Sequence, residues 1–329
     1  MKTTKNFFPL ILAAALFSWN PVILSAQEPM LTLPQFFPHA SAFAQAPWDD
    51  LVLACPNDGA NPPTFLRVTP GDEAFLWGMC PVDPVTGTAN PVAAQFGSDG
   101  FLYVCDNPVP DADGKRPGRI VRIYVNEAHR PYGAEVVAFG MENPVAMAAH
   151  GGEIFVLNRL TGKEGEEQIH TVHRFQEDEL GTEVKNTLDE ASVVARLTYP
   201  DGAPAADGMF FGSDGTLFLV NSQAGTLETL SFNEEKKMLL RAAYLETPVC
   251  ETILAAAAGE DGAIYLLDGK KNTLIALDKE KNTAIIAENV LPISDEETLS
   301  VAMVVRGESV FLAVSRMGKA EIYKIPLQK

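Results

Sequence analysis

Residues 95–106, with the sequence QFGSDGFLYVCD, and residues 210–221, with the sequence FFGSDGTLFLVN, are two copies of one motif. In each copy an apolar run is followed by Gly-Ser-Asp-Gly, a second apolar run, and a final Asp or Asn. Asp-Gly between two short apolar runs is a strong hairpin signal, because glycine adopts the positive φ of a tight turn without steric cost. The motif therefore predicts a β-hairpin whose uninterrupted apolar strands are covered on both faces.

The same hairpin motif recurs along the chain at a regular interval. Weaker copies lie at residues 42–55, 146–158, 255–268 and 301–314, and the six turns fall at Asp50, Gly100, Gly152, Gly215, Gly262 and Glu308. Most copies are followed by a third segment of alternating polar and apolar residues, which is typical of a strand nearer the surface. A period of about 50 residues with four strand-like segments is typical of a β-propeller blade. We therefore expect an all-β fold, a six-bladed β-propeller with four-stranded blades.

The sixth copy lacks an outer strand. It supplies three strand-like segments, at residues 301–305, 310–314 and 321–325. An open ring would expose unpaired strand edges, which folded proteins avoid. We therefore expect the last blade to be closed by an N-terminal strand taken from Met30 to Phe37.

The third repeat is longer than the others and carries an acidic insertion. Residues 161–206 are dotted with glycine and glutamate, and we expect them to form extended loops on one face. Within them, residues 188–195 have the pattern of one short helix. His170 and His173 lie on a predicted strand, where a spacing of three places side chains on opposite faces. We expect both histidines to be exposed and not to share a metal ion.

Residues 1–26 have the pattern of an export signal. Lys2 and Lys5 form a basic start, residues 7–19 are an apolar stretch interrupted by Pro9, and residues 24–26 form a cleavage site. An anchor helix is the alternative, but the prolines leave fewer than the about 20 consecutive apolar residues that span a bilayer. We expect a signal peptide at 1–26 and a single propeller domain at 27–329, periplasmic or secreted, with no membrane span after cleavage.

The composition is that of a folded globular protein with an acidic surface. Hydrophobic residues make up 47% of the 329 residues and charged residues 21%, which argues against disorder and against a multispan membrane protein. The formal net charge of −18 repels phosphate backbones, so nucleic acid is not an expected partner. Small neutral ligands and cations are still possible partners.

Four cysteines, Cys55, Cys80, Cys105 and Cys250, are present, and none has Cys-x-x-Cys spacing. A structural zinc site is therefore not expected. In an exported protein these cysteines allow three complete disulfide pairings. Closeness in sequence favours Cys55 with Cys80, and one disulfide plus two buried thiols is the alternative.

The hairpin motif resembles that of a known group. Residues 95–106, followed by GRIVRI at 118–123, resemble the repeat of NHL proteins and of the SMP-30/gluconolactonase/luciferin-regenerating-enzyme-like group. DGMFFGSDGTLF at 207–218 is similar to that group's Pro-Asp-Gly-Met segment, with Ala206 where proline is usual. The resemblance covers residues 90–326 and implies a six-bladed propeller.

The enzymatic members of this group hold one divalent cation at the centre of one face. The resemblance implies Ca, Mg or Mn, because the ligands are oxygens, and it implies that the metal polarises a lactone or ester carbonyl. Asp207 falls on the group's aspartate ligand, and Asn143 lies at or next to its asparagine ligand. Ser41 stands where the first blade of the group has glutamate.

Two functions follow as hypotheses. The first is a metal-dependent lactone or ester hydrolase that uses Asp207 and Asn143 as ligands and acts on a small neutral ligand such as a lactone. The second is a non-catalytic scaffold that binds a protein or glycan through the acidic third repeat.

Asx residues end the second strand of four hairpins: Asp106, Asn158, Asn221 and Asp268. We expect these side chains to cap turns. The alternative is that they form a polar rim to a pocket.

Overall fold

The structure is a computed structural model that describes most of the propeller. The described residues are 28–34, 37, 39–56, 62–111, 113–114, 118–160, 162, 165–180, 184–187, 191–233, 238–292, 298–316 and 318–327. The predicted signal peptide at 1–26 lies outside them. The described residues form 25 β-strands in six sheets, and the strands are numbered β1 to β25 in chain order. None of the described segments forms a helix able to cross a membrane.

Each sheet is one blade. Blade 1 contains β2 (Ala42–Gln45), β3 (Leu51–Cys55), β4 (Thr64–Val68) and β5 (Ala74–Met79). Blade 2 contains β6 (Pro91–Phe96), β7 (Leu102–Asp106), β8 (Gly118–Val125), β9 (Pro131–Met141) and β13 (Lys185–Asn186). Blade 3 contains β10 (Pro144–His150), β11 (Glu153–Arg159), β12 (Gln168–Gln176) and β14 (Val193–Tyr199).

The remaining blades follow the same order. Blade 4 contains β15 (Gly208–Phe211), β16 (Leu217–Asn221), β17 (Thr226–Phe232) and β18 (Met238–Ala243). Blade 5 contains β19 (Ile253–Ala258), β20 (Ile264–Asp268), β21 (Thr273–Leu277) and β22 (Thr283–Glu288). Blade 6 contains β23 (Thr298–Arg306), β24 (Ser309–Arg316), β25 (Lys319–Pro326) and β1 (Leu31–Thr32). The predicted six-bladed β-propeller is confirmed.

The Asp-Gly turns have the positive-φ backbone conformation that the sequence predicts. Gly100, Gly215 and Gly262 have φ values of 78°, 80° and 84°, which a side chain would strain. The preceding aspartate stabilises the same turn from its side chain. Asp99 Oδ1, for example, accepts a hydrogen bond of 3.0 Å from the Phe101 backbone N–H. All six predicted hairpins are the innermost two strands of a blade.

The hydrophobic core lies between the blades. Six clusters of buried residues fill the six interfaces between neighbouring blades. Along β7, Leu102 and Val104 pack toward blade 1, whereas Tyr103 and Cys105 pack toward blade 3. Because successive strand residues point to opposite faces, a strand between two blades is apolar at every position. The third strand of blade 5 is also more deeply buried than its alternation indicates, since all five residues of β21 are buried.

The ring is closed by the N-terminal strand, as predicted. Leu31 pairs with Ile322 and Thr32 with Glu321, antiparallel to β25. The Leu33 N–H then donates to the Ala320 carbonyl at 2.9 Å. The Leu33 side chain is 5% exposed and packs in the cluster between blades 6 and 1.

Two features of the third repeat differ from expectation. Part of the insertion crosses to blade 2, where β13 pairs in parallel with Ala138 and Phe139 of β9, so one blade has a fifth strand. The short helix predicted at 188–195 is wrong for residues 193–195, which begin β14, while residues 188–190 lie outside the described residues. Pairing with β12 overrides the local helical pattern there.

Candidate functional site

The six innermost strands surround a central channel. Strands β2, β6, β10, β15, β19 and β23 contact one another in ring order and enclose a space of about 430 Å³. Small side chains line it because six strands converge near one axis. Alanine contributes from five of these strands, and β15 contributes larger side chains such as Met209 and Phe211. The side chains that line the channel are therefore mostly small and apolar, although the surface exposed inside it is more polar than apolar.

Asp207 is the only ionisable side chain among the described residues that line this channel. It precedes β15, and its backbone N–H donates to the Val220 carbonyl at 2.9 Å. Its carboxylate is exposed, and Oδ1 accepts a hydrogen bond of 3.0 Å from the Ser222 N–H. Asp207 thus lies on the channel wall and also stabilises a local turn.

Asn143 does not line the channel with Asp207. Its side chain is half-buried, and its Oδ1 accepts a hydrogen bond of 2.7 Å from Asn107 Nδ2. Its backbone N–H donates to Asn158 Oδ1 at 2.9 Å. Asn143 therefore belongs to a network of asparagines where the chain passes from blade 2 to blade 3.

The side chains at the channel do not fit a divalent cation. Calcium takes six to eight oxygen ligands, and magnesium takes six in a strict octahedron. In the described part of the chain, no three or more His, Cys, Asp or Glu side chains lie close enough to share a metal ion. The positions that correspond to Asp207 in other blades hold Ser41, Val92 and Leu254. The single carboxylate of Asp207, which already accepts a hydrogen bond from a backbone N–H, supplies too few oxygen ligands for either cation.

The recurring Asx residues cap the connections that lead into the inner strands. Asp106 accepts a hydrogen bond from the Asn90 N–H at 2.6 Å, and Asp268 accepts one from the Glu251 N–H at 3.1 Å. Asn158 does the same for Asn143 in blade 3. Asn221 caps a different turn, since its Oδ1 accepts from the Ala224 N–H at 3.0 Å. The turn-capping interpretation is confirmed.

Asp106 has a second partner. Arg119 Nε donates to Asp106 Oδ2 at 2.8 Å, and the two side chains are 4% and 0% exposed. Burial raises the pKa of Asp106, and Arg119 opposes that effect. Sequence patterning did not reveal this ion pair, although Asp106 and Arg119 are directly paired across β7 and β8.

The prediction that His170 and His173 are exposed is wrong, because they are 0% and 3% exposed. They do lie on opposite faces of β12, as their spacing indicates. His170 faces blade 4, with its ring 5.1 Å from that of Tyr199, and burial together with Arg159 lowers its pKa to about 4. Strand β14 pairs along β12 and the neighbouring blades pack on both sides, so neither face is open to solvent.

The favoured Cys55–Cys80 disulfide is also wrong. All four cysteines are free and buried. Cys55 packs in the cluster between blades 6 and 1, whereas Cys80 packs in the cluster between blades 1 and 2. The two thiols therefore lie on opposite sides of blade 1, and nearness in sequence does not bring them together.

Comparison with known proteins supports the fold. No protein-family model and no curated protein matches the chain. A solved proposed gluconolactonase is 11% identical with a TM-score of 0.54, and the match covers 92% of this chain and 93% of that chain. A gluconolactonase from Xanthomonas campestris is 13% identical with a TM-score of 0.50, covering 89% and 88%.

A third solved structure comes from a protein of another kind. An auxiliary nutrient binding protein from Bacteroides thetaiotaomicron is 8% identical with a TM-score of 0.53, covering 88% of this chain and 70% of that chain. At such identities, likeness shows a shared fold alone. The resemblance to SMP-30/gluconolactonase-like propellers is therefore confirmed at the level of the fold.

Proposed function

We propose that this protein is a binding propeller whose central channel takes a small neutral molecule beside Asp207. The volume and the lining of the channel support this proposal. Its volume of about 430 Å³ falls within the range of about 300 to 1,000 Å³ that is usual for small-molecule sites. A lining of mostly apolar side chains with a few polar groups is also usual for such sites. Asp207 would accept a hydrogen bond from a hydroxyl or amide group of the ligand.

A metal-dependent lactone or ester hydrolase is the second candidate. It is favoured by the place of Asp207 on the channel wall, where the sequence resemblance assigns a metal ligand. The small donor set around Asp207 and the separate network of Asn143 favour binding instead. The scaffold hypothesis, with a protein or glycan held by the acidic third repeat, stays a prediction, because part of that insertion lies outside the described residues.

Binding and hydrolysis can be separated in one set of measurements. The mature protein would be analysed for bound metal and then mixed with a panel of lactones, with and without chelator, while Tm and hydrolysis are followed. Asp207→Asn removes the charge with little change in shape. Asp201→Asn, at an exposed turn residue, is the matched control.

Binding predicts that a lactone raises the Tm of the wild type and of Asp201→Asn, and raises that of Asp207→Asn less. It also predicts no turnover and no effect of chelator. Turnover that requires a metal and is lost in Asp207→Asn would replace the binding proposal with the hydrolase.

We also infer that the protein acts after export, to the periplasm or beyond. The basic start and apolar stretch of residues 1–26 support this inference. Sequencing the N-terminus of protein recovered from a bacterial host would test it. A chain that begins just after Ala26 is expected, whereas a chain that keeps Met1 and stays in the cytoplasm would contradict export.

A further inference from the structure

The Gly-Ser-Asp-Gly turn of blade 2, residues 97–100, holds a carboxylate from the neighbouring blade. Glu177 Oε1 accepts a hydrogen bond of 3.0 Å from the Ser98 N–H. Glu177 Oε2 accepts one of 2.6 Å from the Ser98 hydroxyl and one of 3.3 Å from the Asp99 N–H. Successive backbone N–H groups of a turn form such concave anion sites. Because Glu177 is only 5% exposed, blade 3 fills this site from within the chain.

Blade 4 has the same four residues at the same turn, residues 212–215. The second glycine has a φ of 78° at Gly100 and 80° at Gly215, and its N–H donates to the carbonyl of the first glycine at 3.1 and 3.0 Å. Asp99 Oδ1 and Asp214 Oδ1 each accept from the backbone N–H two residues on, at 3.0 and 2.9 Å. The two turns therefore present their N–H groups in the same arrangement.

The residue that the next blade places beside the turn differs between the two sites. Glu177 stands two residues after the partner of Ile154 on the third strand of blade 3. Lys279 stands two residues after the partner of Ile264 on the third strand of blade 5. Ile154 and Ile264 each lie two residues after the turn glycine of their own blade. Lys279 therefore takes the place in blade 5 that Glu177 takes in blade 3.

Lys279 and Ser213 converge beside the blade 4 turn. Lys279 Nζ and Ser213 Oγ lie 3.0 and 3.1 Å from the position that a Cβ atom would take at Gly262. Ser98 Oγ lies 3.6 Å from the corresponding position at Gly152, so the two serines occupy equivalent places. In the described part of the chain, neither the Lys279 ammonium group nor the Ser213 hydroxyl has an ion-pair or hydrogen-bond partner. The blade 4 turn thus has its donors and a positive charge, but no internal carboxylate.

The aspartate of the turn does not prevent an anion from binding. The Asp214 carboxylate is directed to the Thr216 N–H, just as the Asp99 carboxylate is directed to the Phe101 N–H. In blade 2 the turn holds Glu177 with this aspartate in place. Blade 4 has in addition the charge of Lys279, which favours a bound anion.

We propose that the blade 4 turn binds the carboxylate group of an external ligand. One ligand oxygen would accept from the Ser213 N–H, and the other from the Ser213 hydroxyl and the Asp214 N–H, as the two oxygens of Glu177 do in blade 2. The Lys279 ammonium group would supply the opposite charge. All three residues of the site are exposed, so a free carboxylic acid and an acidic side chain of a peptide can both reach it.

The site is separate from the central channel. Asp207 precedes β15, whereas the turn at 212–215 follows it, so the two lie at opposite ends of one strand. The proposal is therefore independent of the ligand proposed for the channel.

Amide NMR on the mature protein provides a test with an internal control. After assignment, the N–H signals of Ser213 and Asp214 would be followed during titration with sodium acetate, with the ionic strength held constant by sodium chloride. We expect saturable shifts of these two signals. The Ser98 and Asp99 signals should not respond, because Glu177 already occupies their turn.

Variants at the turn test the role of each group. Lys279→Glu places a carboxylate where blade 3 has Glu177, and this tethered group should abolish the acetate shifts. Lys279→Met should weaken acetate binding about two- to fivefold, and Ser213→Ala about tenfold. Lys270→Met, which removes an exposed lysine at the other end of β21, should leave the affinity unchanged.

The reciprocal variant opens the site in blade 2. Glu177→Ala removes the internal carboxylate, so the Ser98 and Asp99 signals should then shift with acetate as those of Ser213 and Asp214 do. Their failure to respond in a folded Glu177→Ala variant would contradict the carboxylate role of the turn.

Two blocked tripeptides distinguish the sources of the carboxylate. One has glutamate between two glycines and the other has glutamine there. Affinity for the glutamate peptide at least about tenfold above that for acetate would assign the site to acidic side chains, and a smaller difference would assign it to free carboxylic acids. The proposal is overturned if neither acetate nor the glutamate peptide gives saturable shifts at Ser213, if the glutamine peptide binds as tightly as the glutamate peptide, or if Lys279→Glu leaves acetate binding intact.

Discussion

Arg159 and His170 are direct cross-strand partners in blade 3, so a guanidinium group lies next to a histidine that is fully buried. Arg241 of blade 4 adds a second positive charge nearby, and both charges together with burial keep the imidazole neutral. The protein therefore contains a histidine that cannot take up a proton at mildly acidic pH while the blades stay packed.

This arrangement predicts loss of stability in mild acid. In the unfolded chain a histidine pKa is about 6.5, whereas the folded-state pKa of His170 is about 4. Between these values the unfolded state binds more protons, so the free energy of unfolding falls as the pH is lowered, and below pH 4 this contribution no longer changes. At about 1.4 kcal/mol for each pH unit, the loss is about 3 kcal/mol.

Urea unfolding at several pH values would measure this effect. We expect His170→Phe to remove most of the pH dependence between 6.5 and 4. His150→Gln, at the exposed last residue of β10, should keep it. An unchanged pH dependence in His170→Phe would show that other groups are responsible.

The closing strand predicts a strong effect from one N-terminal side chain. Leu33 is buried between blades 6 and 1, so Leu33→Ala should lower the free energy of unfolding by about 2 to 5 kcal/mol. Thr32→Ala, at the neighbouring exposed residue, should change it by less than about 0.5 kcal/mol. Deletion of residues 27–38 should lower Tm sharply, and a Tm equal to that of the intact propeller would refute the role of this strand.

Because Asp106 and Arg119 form a buried ion pair in blade 2, substitutions of these two residues should have non-additive effects on the free energy of unfolding. Asp106→Ala would leave the buried Arg119 without its nearest carboxylate, and removal of one partner of a buried pair costs about 3 to 5 kcal/mol. We expect the lower part of this range, because Asp83 lies 3.8 Å from Arg119 and the Pro81 carbonyl accepts from it.

The double variant Asp106→Ala with Arg119→Met should be more stable than Asp106→Ala alone, because the unpaired charge is gone. Chemical denaturation of the two single variants and the double variant would give the coupling. Additive losses would mean that the two side chains do not stabilise each other.

The buried thiols predict a protein that is insensitive to reductant. Burial raises the pKa of Cys55 and that of Cys250 to about 12, and it raises those of Cys80 and Cys105 as well. Since the thiolate is the reactive form, we expect no alkylation of the native protein and the same Tm with and without dithiothreitol. A fall in Tm on reduction would point to a disulfide.

The repeat made the blades predictable from sequence. Asp99-Gly100 and Asp214-Gly215 combine a positive φ with an aspartate that caps its own turn, so local chemistry marks each hairpin. The apolar runs between such turns indicate strands that are covered on both faces. The sixth repeat lacks an outer strand, and an open strand edge needs a partner. The sequence therefore also predicts that an N-terminal strand completes blade 6.

Features outside the repeat could not be predicted in this way. The pairing of Lys185 with Ala138 joins an insertion to another blade. Neither segment has a sequence pattern that identifies the other as its pairing partner. The burial of His170 depends on Tyr199 and on blade 4, which come later in the chain.

Closure of the ring has a consequence for the order of folding. The Ala40 N–H donates to Ser315 Oγ at 2.7 Å across 275 positions of the chain, beside the strand that joins blade 6 to the N-terminal segment. Contacts this distant form late, because the entropy cost of closing a loop grows with its length and slows folding. During synthesis the first strand of the propeller emerges early but must wait for nearly the whole chain, so it is among the last to find its partner.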